Sequence, residues 1–272
     1  MQRKLEMTTN DNEELLIDLG NNVTLSLIKI KAGSFMMGSP EDELGREFNE
    51  DQHPVTLTKD YWLGKYPVTF RQYKAVIGRY PVVKGYGYRF SYDSFLNDAP
   101  RQRDFPVDEI SWHLAKTFCS KMNQMVSRPT GYRFDLPTEA QWEYACRAGT
   151  TTALNSGKNL THSDGKCANL AKVGWYEDNG LGQRTVGKKK PNSWGLYDMH
   201  GNVEEWCRDW YEANGASDPE FLKGQKIGEY RVTRGGSHRS DPHECRSANR
   251  QCYEPTLRYN FVGFRLALVP VK

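Results

Sequence analysis

No stretch of the 272 residues approaches the roughly 18 consecutive apolar residues of a membrane-spanning helix. The opening Met1-Gln-Arg-Lys-Leu-Glu-Met7 lacks the apolar core of a secretory signal. A soluble protein without a membrane span is expected, cytoplasmic as written, or exported to the cell surface if a leader has been removed. There is no Cys-x-x-Cys pair: Cys119, Cys146, Cys167, Cys207, Cys245 and Cys252 are widely spaced, which argues against a zinc ribbon or a dithiol redox motif. Blocks of one charge sign are also missing. The net charge of +3 is spread among interspersed acids and bases, so neither nucleic acid nor an anionic membrane is an expected partner. Finally, no Pro/Ser-rich linker divides the chain. We expect a polar, peripheral segment over residues 1–21 and a single domain over 22–272.

What the sequence does contain is a series of local start and stop signals. Val23, Leu25, Leu27, Ile28 and Ile30 alternate with polar neighbours as in a half-buried strand. Thr69 with Gln72 forms a capping box for a helix from Phe70 to about Gly78. Ser111 caps a second helix whose apolar positions, Trp112, Ala115, Phe118, Met122 and Met125, have helical spacing. Thr138 with Gln141 opens a third, which Gly149 is placed to cap. Glu139 and Glu143 share one face of that helix. They read as acceptors for buried arginine or backbone groups rather than as an acid/base pair, since no nucleophile accompanies them. Residues 79–103 are aromatic, basic and aperiodic, and read as a long loop.

Several segments resemble the formylglycine-generating enzyme family. They are Ala32-Gly-Ser-Phe-Met-Met-Gly38, His53-Pro-Val-Thr-Leu57 and Leu136-Pro-Thr-Glu-Ala-Gln-Trp-Glu143. Further on come Gly195-Leu-Tyr-Asp-Met199, Gly201-Asn-Val203, Arg234-Gly-Gly-Ser237, Cys245-Arg-Ser-Ala-Asn-Arg250 and Gly263-Phe-Arg265. The resemblance implies an α+β fold, a variant of the C-type lectin fold that is loop-rich, with few helices around antiparallel sheets. It also implies that Cys146 lies close to Cys245, because related enzymes bridge the corresponding positions. Family members can hold calcium near Gly201-Asn-Val203, where Asn202 and Glu205 offer hard oxygen ligands; a purely structural Asn202 is the alternative. No other cofactor is expected. Glu204 departs from the family, which commonly has Trp there.

The family's oxidases use two cysteines shortly after Gly-Gly-Ser, binding copper(I) as soft thiolates. Here Ser240 stands where the first belongs, and Cys245 is part of the scaffold segment. His238, His243 and Cys245 could instead suggest a metal set. The favoured reading is a binding module. Two inserts, 238–244 and 251–262, lie between scaffold segments, and their residues resemble those of retroelement-diversified variable proteins in the same family. Randomised adenines in Asn codons can yield Arg239, Ser240, Asp241, His243, Cys252, Tyr253, Leu257, Tyr259, Asn260 and Phe261, but never Lys, Met or Trp. With His238, these are the candidate ligand-binding residues of a variable region spanning about 238–262. Gln251 and Glu244 lie outside the reachable set, and Pro255 and Arg258 match fixed family positions. The expected partner is a protein or glycan, bound by a monomer. Alanine at Tyr253, Tyr259 and Phe261 together is expected to leave the melting curve nearly unchanged.

Overall fold

Leu15, Ile17 and Leu19 recur at period two and are fully buried, with Leu16 and Asp18 on the less buried side, so the strand Leu15–Gly20 belongs to the central sheet. The segment expected to be peripheral therefore enters the sheet, at Leu5–Met7 and from residue 15 onward; three apolar residues at period two outweigh its polar flanks. The computed structural model describes residues 5–7, 14–85, 88–91, 103–180, 182–212 and 228–271.

In chain order the strands are β1 (Leu5–Met7), β2 (Leu15–Gly20), β3 (Val23–Ile30), β4 (Gly33–Met37), β5 (His53–Leu57), β6 (Tyr61–Gly64), β7 (Val82–Gly85) and β8 (Tyr88–Ser91). They continue as β9 (Tyr132–Asp135), β10 (Gly174–Trp175), β11 (His200–Gly201), β12 (Glu204–Trp210), β13 (Arg231–Arg234), β14 (Arg250–Tyr253), β15 (Val262–Gly263) and β16 (Ala267–Pro270). Among the described residues the α-helices are α1 (Phe70–Ile77), α2 (Trp112–Met125) and α3 (Glu139–Arg147). Among the described residues the largest sheet has the order β1-β2-β3-β6-β16-β9, and a four-stranded sheet has the order β14-β13-β12-β15. This is the expected α+β architecture, loop-rich with antiparallel sheets; among the described residues only β10 with β11 and β12 with β15 pair in parallel.

The large sheet is covered on both faces, which period two makes visible along single strands. Leu25 and Leu27 of β3, Trp62 of β6 and Leu268 of β16 join Phe70, Tyr73, Phe118 and Met122 from α1 and α2 in one core. Their strand neighbours Ile28, Ile30, Leu63, Ala267 and Val269 point the other way and pack with Trp142, Ala145 and Cys146 of α3. The expectation of a half-buried β3 thus gives way to a strand covered from both sides.

All three helix starts lie where the caps place them, with Thr69, Ser111 and Thr138 each accepting from a backbone N–H three residues on. The end of α3 differs by one residue. Ala148 itself takes the left-handed cap conformation at φ 47°, and Gly149 follows at φ 89°. Within the expected long loop, β7 and β8 form an antiparallel pair; Tyr86, Tyr92 and Phe95 lie outside the described residues.

Candidate functional site

Four buried arginines fix the strand ends and turns that carry the inserts. Arg234, at the end of β13, donates to Glu139 at 3.0 Å, to Glu143, and to the carbonyls of Ser247 and Ala248. Arg250, opening β14, donates Nε to Glu139 at 2.6 Å. Arg246 binds Glu50 at 2.6 Å and Glu43 at 2.8 Å, and Arg265 binds Glu205 at 2.8 Å. Burial alone would raise the Glu139 carboxyl, but the charges of Arg250 and Arg234 outweigh it and hold the group below the usual carboxylate range. Glu139 and Glu143 are thus acceptors for buried arginines, as the lack of an accompanying nucleophile implied.

The first insert is packed into this frame. The imidazole Nδ1 and backbone N–H of His238 both donate to the Asn202 carbonyl, at 2.9 and 3.1 Å. Ser240 Oγ accepts from the Ser237 N–H, and both His238 and Ser240 are buried. Asp241 donates its N–H to Glu244 and leads into a single 3-10 turn, Pro242–Cys245. His243 is held through its ring and its backbone N–H by Ser163, both at 3.0 Å. It also backs onto Gly45, where an added Cβ would come within 2.5 Å of the His243 Cβ. Of the five candidates in this insert, Arg239 alone is exposed, with Asp241 and His243 partly so.

The second insert gathers its aromatic candidates. Tyr253, on β14, has its ring 4.8 Å from Tyr259 and 6.1 Å from Phe261, and the last two stack at 5.1 Å. The trio is only partly exposed and packs on the core beside Trp206. Leu257 and Asn260 are exposed, and Cys252 is intermediate. Arg258 donates to the Glu109 carbonyl at 2.6 Å while the Glu109 N–H donates to the Tyr259 carbonyl. This fixed residue therefore shapes the loop, and Glu109, which has no sequence signal beyond its position before the helix, is its counterpart.

Beneath the trio lies Glu204. Its carboxylate accepts from Thr233 Oγ1 at 2.7 Å and from the Tyr253 hydroxyl at 3.3 Å. Burial pushes this carboxyl up to about 7, with the hydrogen bond from Thr233 opposing and the nearby Glu244 charge reinforcing the rise. Its departure from the family pattern was the only clue to it in the sequence. Between the ordinary value of 4.5 and about 7, the folded protein holds a proton that the unfolded chain releases. The contribution is therefore fully present below the unfolded pKa and is lost as pH rises through 7. Relative to Glu204→Gln, the wild type should lose on the order of 3 kcal/mol between pH 4.5 and 8, from about 1.4 kcal/mol per unit. Denaturant melts of both proteins across that range check this, and identical pH dependence in the two would refute it.

Residues 19–269 match the Sulfatase-modifying factor enzyme 1-like domain. The chain belongs to this family. A formylglycine-generating enzyme from Thermomonospora curvata is 27% identical to it, with 92% of this chain and 95% of the relative covered. A Chlamydia pneumoniae protein named serine/threonine-protein kinase pkn1 is 28% identical over 90% of this chain, which spans only 38% of that relative. Among solved structures, Treponema denticola variable protein 1 matches with a TM-score of 0.75 and 28% identity, covering 94% of this chain and 99% of that one. The fold is thus the C-type lectin-like fold in its formylglycine-generating enzyme variant.

Within this family frame the thiols can be placed. Cys245 is fully buried, and desolvation raises its thiol well above the usual range. Its Sγ lies under Gly236, where an added Cβ would come within 2.6 Å of it. Cys146 and Cys245 are not bridged; the Cys146 thiol contacts Ser247 Oγ at 3.6 Å and His200 Nε2 at 3.9 Å. His200 in turn bonds the Cys245 carbonyl through Nδ1 at 2.7 Å, so an imidazole links the two positions expected to be close. His238 and His243 bond different carbonyls, and among the described residues no three His, Cys, Asp or Glu gather as a metal group. The oxygens considered for calcium are committed within the protein and do not fit that ion. Glu205 accepts from Arg265 and from Trp142 Nε1, and Asn202 Oδ1 accepts from the Arg184 N–H.

Proposed function

We propose that this chain is a non-catalytic ligand-binding protein, monomeric, whose C-terminal surface is diversified by a retroelement on the family scaffold. What carries the reading is Ser240. It stands at the position of the first oxidase thiol, and its hydroxyl is spent on the Ser237 N–H. Cys245, the nearest thiol in sequence, is sealed in the core and strongly resists ionisation, whereas copper(I) chemistry needs accessible thiolates. Further support comes from a partly exposed aromatic trio, with Arg239, Leu257 and Asn260 reaching solvent. Such residue types dominate binding surfaces, and a partner protein or glycan is the ligand class they suit.

The test is to compare the gene among isolates. Differences should concentrate in codons 238–262 at template adenines, beside a near-identical repeat and a reverse transcriptase gene; evenly scattered differences would defeat the proposal. Incubation of the protein with copper(I) and a cysteine-containing sulfatase peptide should yield no aldehyde, and a formylglycine product would favour the oxidase. Alanine at Arg239, Leu257 and Asn260 together should shift stability by less than about 1 kcal/mol, since exposed substitutions are individually small. Denaturant unfolding checks this, and a larger loss would place these side chains in the framework rather than on the binding surface.

A further inference from the structure

A cleft of about 370 Å³, separate from the variable region, lies where the β5–β6 turn, β9, the start of α3 and the end of the chain meet. Its charged lining is all of one sign: Lys59, Arg133 and Arg208. The neighbouring acids already have partners within the protein, and the Arg208 charge also acts on Asp209. Asp60 binds Lys29 at 3.6 Å and the Ala32 N–H at 2.8 Å, and Asp209 accepts the Glu139 N–H at 2.7 Å. Asp135 is shared by Lys116 and Arg133. Lys59 and the Arg208 guanidinium have no ion pair or hydrogen bond among the described residues.

The donors here are also positioned. The Arg208 backbone is pinned on both sides, its N–H to Pro137 at 2.8 Å and its carbonyl to Arg231 at 2.7 Å. Gln141 uses Oε1 for the Thr138 N–H at 2.9 Å, which leaves its Nε2 as a further donor in the lining. Among the described residues no carboxylate lines this concavity; Arg133 is already paired with Asp135, so Lys59 and Arg208, with the Gln141 amide, concentrate field on whatever anion enters. The guanidinium fork suits a tetrahedral oxyanion, while the cleft exceeds the size of a bare ion and falls in the range of small-molecule sites.

The geometry points to this cleft as a binding site for a small sulfate or phosphate monoester, with Lys59 and Arg208 taking the oxyanion beside the Asp135-paired Arg133. The site stands independently of the proposed diversified surface, because none of its lining residues falls in 238–262.

The test is calorimetric titration of the full chain, at low salt, with glucose 6-sulfate, glucose 6-phosphate and glucose. At least one ester should bind at least tenfold more tightly than glucose. The Lys59→Gln/Arg208→Gln double variant should weaken that binding by roughly a hundredfold, about tenfold for each charge-assisted contact removed. Arg208→Lys, which keeps the charge and loses the fork, should fall between. If the phosphate ester binds more tightly at pH 7.5 and weakens by pH 5.5, as its second proton returns near pH 6, the natural ligand is a phosphate; a pH-independent preference for the sulfate ester identifies a sulfate. Equal binding of esters and glucose, or unchanged ester binding in a folded double variant, would overturn the assignment.

Discussion

Replacing Arg234 with Met should destabilise the protein by about 3–5 kcal/mol, the range for removing one member of a buried ion network. Arg234 is fully buried, and no water can replace its bonds to Glu139, Glu143 and the carbonyls of Ser247 and Ala248. Glu139 keeps Arg250 and Glu143 keeps Arg147, so the carboxylates retain one guanidinium each, whereas the Ala248 carbonyl loses a donor. The loss should depend on pH in a specific direction. Glu139 has its folded pKa held low, so its contribution is present above the ordinary value of 4.5 and is lost as pH falls through the folded value. The variant's deficit should therefore be largest near neutrality and shrink in acid. Denaturant unfolding at pH 7 and at pH 3.5 measures both quantities, and a deficit below 1 kcal/mol at pH 7 would show that the network contributes nothing to stability.

The second large effect concerns the aromatic trio. Alanine at Tyr253, Tyr259 and Phe261 together should cost on the order of 4 kcal/mol and lower the melting temperature by roughly 10 °C. These rings are half-buried, pack against one another and cover the core beside Trp206, so their loss removes apolar contact as well as the Tyr253 bond to Glu204. From the sequence alone a nearly unchanged melting curve is expected, because rings in an aperiodic insert look like free contact residues. A melting curve that stays put would restore that reading and detach the trio from the core. The three single variants should sum to more or less than the triple, since neighbouring rings share contacts.

The local signals were legible wherever short-range chemistry decides them. The capping boxes at Thr69 and Thr138 and the Ser111 cap set the helix starts, and the Gly-Gly-Ser, Cys-Arg-Ser-Ala and Gly-Phe-Arg segments identified the frame of the inserts. What stayed hidden depends on contacts between residues far apart in the chain. Leu15, Ile17 and Leu19 became core only because β3 and the first helix lie against β2. His238 and Ser240 resembled surface residues until Asn202 and Ser237 took their polar atoms. Glu109 gave no pattern at all, since its part is to present backbone groups to Arg258 and Tyr259. The basic cleft was equally invisible, because Lys59, Arg133 and Arg208 are scattered in sequence.

The arginine anchors have a consequence for engineering. Each binds carboxylates or carbonyls contributed by distant segments, so the insert boundaries are fixed by directional bonds that do not involve the side chains within the inserts. A combinatorial library confined to Arg239, Leu257 and Asn260 would thus vary the outer contour of the molecule while leaving every one of those bonds in place. Extending the library to Tyr253, Tyr259 or Phe261 would trade repertoire size against yield, because each draw at those positions also rewrites part of the core.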